Sequence, residues 1–133
     1  MNLKEFADKF IKAEIDAWQK GNLNVAETLE DPNVVYHFGS QDRLGWEAKK
    51  QDILRAPQFF SNLRIETKYL TGDGNLFALS SRWRYIAKSE IPGLPGSIGK
   101  EVASDSLRLC RLGNGKIVEA WESITISRTV SDP

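Results

Sequence analysis

The apolar residues of this chain change their period near position 60, and that change limits the folds open to it. Up to that point the spacing is helical. Leu3, Phe6, Phe10, Ala13 and Ala17 recur every three or four residues, and Ile11, Ile15 and Trp18 widen the stripe. Beyond it the chain alternates. Leu63, Ile65, Thr67 and Tyr69 take turns with Arg64, Glu66 and Lys68, the pattern of a half-buried strand. Phe77, Leu79, Ser81, Trp83 and Tyr85 then oppose Arg82 and Arg84, and two more long runs, from about Glu101 to Leu112 and from Lys116 to Ser127, flank the turn Gly113-Asn114-Gly115. Helices followed by long antiparallel strands predict an α+β fold, with three N-terminal helices packed on one face of a strongly curved, mainly antiparallel sheet. Such a sheet curls into a cone. A cone closed by helices has an apolar interior that side chains need not fill, which makes a small-molecule cavity the natural site.

The 133 residues suffice for one core, so residues 1–133 are expected to form a single domain. The first helix is predicted over Leu3 to Lys20, stopped by Gly21 and Asn22. A short second helix, capped by Asn22 or Asn24, carries Val25, Ala26 and Leu29 and ends at Asp31-Pro32. Val34 to Phe38 is β-branched and aromatic and reads as a strand, followed by a polar loop from Gly39 to Gly45. Trp46 to Arg55 forms a third helix, stopped by Ala56-Pro57. Two prolines and three glycines between Glu90 and Lys100 require a loop, and the tail from Thr129 to Pro133 is expected to fray.

Lys plus Arg and Asp plus Glu each number 18, and no long basic block offers phosphates a track, so nucleic acid is not an expected partner. No apolar run approaches membrane-spanning length, and the N-terminus lacks the apolar core of a signal peptide. Cys110 is the only cysteine, which agrees with a reducing cytoplasm. With one histidine and one cysteine there is no clustered ligand set, and no metal and no cofactor are expected.

Chemistry is suggested by one misplaced acid. In the last run Val118, Ala120, Glu122, Ile124 and Ile126 share one face, while Ile117, Glu119 and Trp121 share the other. Glu122 is the polar member of the apolar row. A carboxylate on such a row must find a partner or suffer desolvation, and enzymes use the second condition to make a general base. If the Gly-Asn-Gly turn is a three-residue loop, Ser104, Ser106, Arg108 and Cys110 join the face of Glu122, and Arg108 and Glu122 meet. A two-residue turn would place Trp121 beside Arg108 instead.

The segments DPNVVYHFG, GWEAKKQDIL, ALSSRWRYIA and RLCRLGNGKIVEAWE, in this order, resemble the SnoaL-like polyketide cyclase family, within the fold group of nuclear transport factor 2 and ketosteroid isomerase. The resemblance covers nearly the whole chain. It implies a cystatin-like cone and a catalytic acid after the tryptophan of the last motif, commonly aspartate but here Glu122. It also matches Arg108 to a position bearing His or Asp in many members. Both are departures: the acid is one methylene longer and its neighbour is a fixed cation, which would weaken it as a base.

The expected catalytic set is therefore Glu122, Arg108 and His37, the last on a strand that the resemblance places along the pocket mouth. Trp83, Tyr85, Tyr36, Ser106 and Trp46 are expected to contact substrate. For His37 the competing reading is a core-edge histidine bonded to backbone, for Trp83 and Tyr85 packing, and for Trp46 a staple at a helix start. The expected ligand is a small apolar or polyketide-like molecule. Proton abstraction next to a carbonyl needs no cofactor, because the carbonyl is the electron sink. A non-catalytic binding module with a structural Arg108–Glu122 pair is the alternative, as is a hydrolase or dehydratase using the same acid. A homodimer is expected through the outer sheet face, carrying Trp121, Ile117, Leu107 and Leu109.

Overall fold

A computed structural model describes residues 2–130. Helix α1 spans Leu3–Lys20. The Asn2 side chain accepts from the Glu5 amide at 2.8 Å and caps its start, and Gly21, at φ 73°, ends it in the left-handed conformation. Its buried face holds Phe6, Ala7, Phe10, Ala13, Glu14 and Ala17, the helical stripe of the sequence with one acid in it. Helix α2 is a single turn, Ala26–Leu29, and neither Asn22 nor Asn24 caps it. Helix α3 spans Trp46–Arg55 and passes into a short 3₁₀ turn, Ala56–Gln58, around Pro57.

Strand β1 runs over Glu30–Phe38, four residues earlier than expected, and takes in Pro32. Its pairing is irregular between Glu30 and Val35, and a proline costs the ladder little where the ladder is already broken. The expected polar loop contains a strand, β2 (Gln41–Leu44), paired antiparallel to β1. All four residues of β2 are exposed, so no alternation marked it. The long strands β3 (Phe60–Asp73), β4 (Leu76–Ala87), β5 (Glu101–Gly113) and β6 (Lys116–Thr129) complete a six-stranded sheet in the order β2-β1-β6-β5-β4-β3. Its pairs are antiparallel except β1 with β6. The ladder continues to Val130, whose amide donates to the Glu101 carbonyl at 2.9 Å; the rest of the expected frayed tail, 131–133, lies outside the described residues.

The β5–β6 hairpin settles which residues face Glu122. Its turn is the two-residue form: Gly113 pairs with Lys116, and Asn114 and Gly115 both have positive φ, 53° and 77°. Alone this would set Trp121 beside Arg108. A β-bulge then inserts Val118 between the pairs Leu112–Ile117 and Arg111–Glu119, which restores Arg108 opposite Glu122. The same bulge turns Ile117 into the core, where it is fully buried; it does not belong to the outer face, as the simple alternation had implied. A second bulge, at Thr125, lies between Ser106–Ile124 and Asp105–Ile126 and sends Ile126 to the outer row.

The helices pack on the concave side. Phe10 meets Phe77 of β4 edge-on at 6.3 Å, within a core that includes Leu29, Val34, Leu79, Cys110 and Ile117. A smaller cluster at the other end joins Tyr85, Ala87 and Val102 to Phe60, Trp83, Ile91 and Leu94. Ile91 and Leu94 belong to the loop expected between β4 and β5. Glu90 fastens it by accepting from the Ser97 amide and hydroxyl. No helix among the described residues is long and apolar enough to cross a membrane.

Because Phe10 joins α1 to the sheet, Phe10→Ala should destabilise the protein by about 3–5 kcal/mol, read from urea unfolding. An unchanged midpoint would show that α1 does not hold the sheet through this ring.

Candidate functional site

Between the two clusters the concave face encloses a cavity of about 470 Å³. One end is aromatic. Trp83 meets Trp18 of α1 edge-on at 5.0 Å and Phe60 at 6.2 Å, and Phe60 lies 4.4 Å from Tyr85. The other end is charged, with Glu14, Lys49, Arg108 and Glu122 on the lining. The exposed lining residues Phe38, Gln41 and Arg43, from β1 and β2, mark the opening.

The charged end rests on a buried network drawn from four elements. Glu14, on α1, accepts from Arg108 Nη1 of β5 at 2.5 Å with one oxygen and from Lys49 Nζ of α3 with the other. Lys49 also donates to Glu30 of β1 at 2.8 Å, and Glu30 accepts the Tyr36 hydroxyl. Lys49 and Arg108 lie over the Phe10 ring at 5.3 and 5.5 Å, so the network sits directly on the core. Burial alone would drive the Glu14 carboxyl up; Arg108 and Lys49 outweigh it and hold the group at about 2 against an ordinary 4.5. Glu30 goes the other way: burial raises it, and one shared lysine does not compensate. Burial and Glu30 together push the Tyr36 phenol upward. Cys110, buried nearby, is raised to about 12 by burial and is an inert thiol.

Arg108 and Glu122 are neighbours without being bonded. The closest approach is 3.9 Å, from Arg108 Nε to Glu122 Oε2, and Nε has no hydrogen-bond partner among the described residues. Glu122 instead accepts the Ser106 hydroxyl at 3.2 Å. The guanidinium spends its strong contact on Glu14. Glu122 thus keeps a carboxylate with one hydroxyl bond on a cavity wall, close to a positive charge that is held by another group.

Tyr36, Trp83, Tyr85 and Ser106 line the cavity with Glu122 and Arg108. Trp46 does not line it. The first turn of α3 points its ring into the core, 6% exposed, where Lys49 lies 5.9 Å above it. Nor does His37 offer a nitrogen to the cavity. It lies along the rim, but Nδ1 is 2.8 Å from Asp42 and Nε2 is 2.7 Å from Glu119, and the ring stacks on Trp121 across the outer face. The physical reason is alternation: Tyr36 and Phe38 of β1 face Ala120 and Glu122, so His37 between them must face Trp121. Glu14, Lys49 and Glu30 escaped the sequence reading. An acid on the apolar stripe of α1 was the available signal for Glu14; nothing local marked the other two. Among the described residues no group of His, Cys, Asp or Glu is arranged to hold a metal ion.

Helices on a curved sheet around a half-polar cavity define the ketosteroid isomerase-like class of fold. The chain belongs to the SnoaL-like polyketide cyclase family, whose sequence profile matches residues 9–126. Three solved structures illustrate the likeness. AclR of Streptomyces galilaeus, described as a candidate hydroxylase, is 18% identical with a TM-score of 0.72 over 93% of this chain and 91% of its own. IdmH of Streptomyces antibioticus, described as a candidate polyketide cyclase, is 23% identical, with a TM-score of 0.70 over 92% and 91%. A Catenulispora acidiphila protein of ketosteroid isomerase-like fold, solved with trimethylamine, is 18% identical, with a TM-score of 0.65 over 86% and 83%. At these identities the likeness is one of fold. No curated protein matches the sequence significantly.

The lowered Glu14 group fixes the sign of a pH effect. Its contribution to stability is full above about 4.5 and is lost as pH falls toward about 2, while Glu30, raised, contributes in the opposite sense as pH rises. Glu14→Gln strands Arg108, leaves Lys49 with Glu30 alone, and should cost about 3–5 kcal/mol near neutral pH. Thermal melts from pH 7 to pH 2 should also show a shallower acid limb in this variant than in the wild type. Parallel limbs would show that Glu14 is not the acid-sensitive group.

Proposed function

We propose that the protein is a cofactor-independent cyclase or isomerase that moves a proton next to a carbonyl in a small, largely apolar, polyketide-like molecule. The observation that carries this reading is the allocation of Arg108. Because Glu14 takes its guanidinium at 2.5 Å, Glu122 is left 3.9 Å away with only the Ser106 hydroxyl bonded to it. A base must be free to accept a proton, and a carboxylate hydrogen-bonded to a guanidinium is not.

In the proposed step Glu122 removes a proton from the carbon beside the carbonyl. The electron pair moves onto the carbonyl oxygen, and the Arg108 charge favours the resulting enolate. The enolate carbon can then attack a second carbonyl in the same molecule, whose oxygen takes the proton back from Glu122. Where the enolate is conjugated with a C=C bond, the proton can instead return from Glu122 to the far carbon of that system. Trp83 and Tyr85, at the aromatic end, would carry the apolar body of the substrate. Membership of the SnoaL-like family supports the substrate class. The lone buried thiol of Cys110 suits work in a reducing cytoplasm.

Glu122→Gln keeps size and the Ser106 contact but removes the proton acceptor. Turnover of a responsive polyketide-like or cyclic carbonyl substrate should fall by about 10²–10⁴-fold while the melting temperature is kept, since Arg108 retains Glu14. Retained turnover in a folded variant would sink the general-base role. A large loss of melting temperature, with a wild type inert toward the whole substrate set, would favour a binding module.

We further propose a homodimer through the outer sheet face. Leu107, Leu109, Trp121 and Ile126 stand exposed there, more apolar surface than a wetted sheet usually presents. Analytical ultracentrifugation at micromolar concentration should give a dimer, and Leu109→Glu a monomer. A monomeric wild type would remove this proposal.

A further inference from the structure

His37 is the chain's only histidine, and its geometry demands a charged ring. A neutral imidazole has one N–H and one lone pair, so it can donate to a single carboxylate. Here both nitrogens meet carboxylate oxygens, Asp42 at 2.8 Å and Glu119 at 2.7 Å. Glu119 is itself held as an anion by Arg111 of β5, whose Nη2 donates to its other oxygen at 2.9 Å. Asp42 is open to water. The proton that satisfies both contacts therefore belongs on the ring.

Those two contacts join parts of the sheet that have little else between them. Asp42 lies on β2, an edge strand of four exposed residues, and Glu119 lies on β6, two strands away. Beyond its ladder to β1, β2 is tied by Arg43, which donates to Asp52 of α3 at 2.6 Å. The β1–β2 hairpin brings Phe38, Gln41 and Arg43 to the cavity opening. We propose that His37 is a positioning residue for this opening: as an imidazolium bridging Asp42 and Glu119, it latches the β1–β2 hairpin in place, and loss of its proton releases the Asp42 side.

The charged groups facing the ring are Asp42 from β2 and Glu119 from β6, with Arg111 from β5 behind Glu119. The two carboxylates outweigh the ring's partial desolvation and raise His37 above the ordinary value of 6.5. A raised histidine stabilises the closed arrangement fully below 6.5 and loses that contribution as pH rises through its folded value. Release falls on the Asp42 side because Glu119 is anchored by Arg111, while Asp42 has no other side-chain partner among the described residues. The stacked Trp121 ring, at 5.3 Å and 23°, favours the cation as well. The inference is independent of Glu122 and of the reaction proposed above.

The test needs no substrate. With one histidine, the imidazole C2 proton gives a single NMR titration that needs no assignment. His37 should titrate above 6.5, and Asp42→Asn should move it down. Amide hydrogen exchange at Gln41 to Leu44, corrected for intrinsic base catalysis, should accelerate by about tenfold across that titration, with β5 amides unaffected. His37→Gln, which carries no titrating proton, should abolish the pH dependence. Titration at or below 6.5 would overturn the proposal. So would hairpin exchange that ignores the titration, or a pH dependence that survives in His37→Gln.

Discussion

The structure depends on four charges buried where helices meet sheet. Glu14, Glu30, Lys49 and Arg108 come from α1, β1, α3 and β5, and each has a partner that belongs to a different element. Apolar contact is non-directional; Phe10 and Phe77 would pack in several rotations of α1 about its axis. Paired charges are not so tolerant, because any rotation that separates them leaves an ion in the core without compensation. The network adds little net stability over an apolar replacement, yet it selects the one docking of α1 and α3 in which every charge is met. That docking also leaves the cavity open, since the chains of Lys49 and Arg108 are drawn to Glu14 and do not extend across it.

The same allocation separates two demands that a proton-transferring site places on a cation. Positive charge must stand near the oxygen that becomes an enolate, and it must not bond to the base. In the proposed reaction Glu14 would meet both, because it holds Arg108 from the helical side while the β5–β6 ladder holds Glu122 opposite it. An arginine across the ladder from the acid therefore need not silence it. A buried counter-acid on α1 makes that neighbour compatible with a free carboxylate.

The fold was legible wherever burial imposed a period. The stripe of α1 and the alternation of β3 and β4 read directly, because one face of each is more buried than the other. β2 was not legible, since a strand exposed on both faces leaves no pattern. The sequence left two registers open, a three-residue turn that sets Arg108 opposite Glu122 and a two-residue turn that sets Trp121 there; the turn has two residues, and the bulge at Val118 brings Arg108 opposite Glu122 all the same. Bulges are invisible to alternation by their nature: each adds one residue and inverts every face beyond it, which is why Ile117 was placed outside and lies inside. Of the site, residues on the alternating strands could be read, while Glu14 and Lys49 on helices and Glu30 at the irregular start of β1 could not. Glu14 and Lys49 are brought to Arg108 by tertiary packing over separations of 94 and 35 residues in the Arg108–Glu14 and Lys49–Glu14 contacts, and sequence periodicity carries no such information.

β6 is where these separate results become one. Its inward row brings Ala120 and Glu122 to the cavity, and its outward row brings Glu119 and Trp121 to His37. The bulge at Val118 fixes both rows at once, so the position of the acid and the position of the histidine's partners cannot be varied independently. A one-residue slip would put Trp121 in the cavity and Glu122 on the outer face, removing the cavity acid and the stacking partner of His37 together. Trp121 and Glu122 are adjacent in sequence and opposite in direction. The strand that presents the acid to the cavity also joins the cavity's opening to the outer face of the sheet.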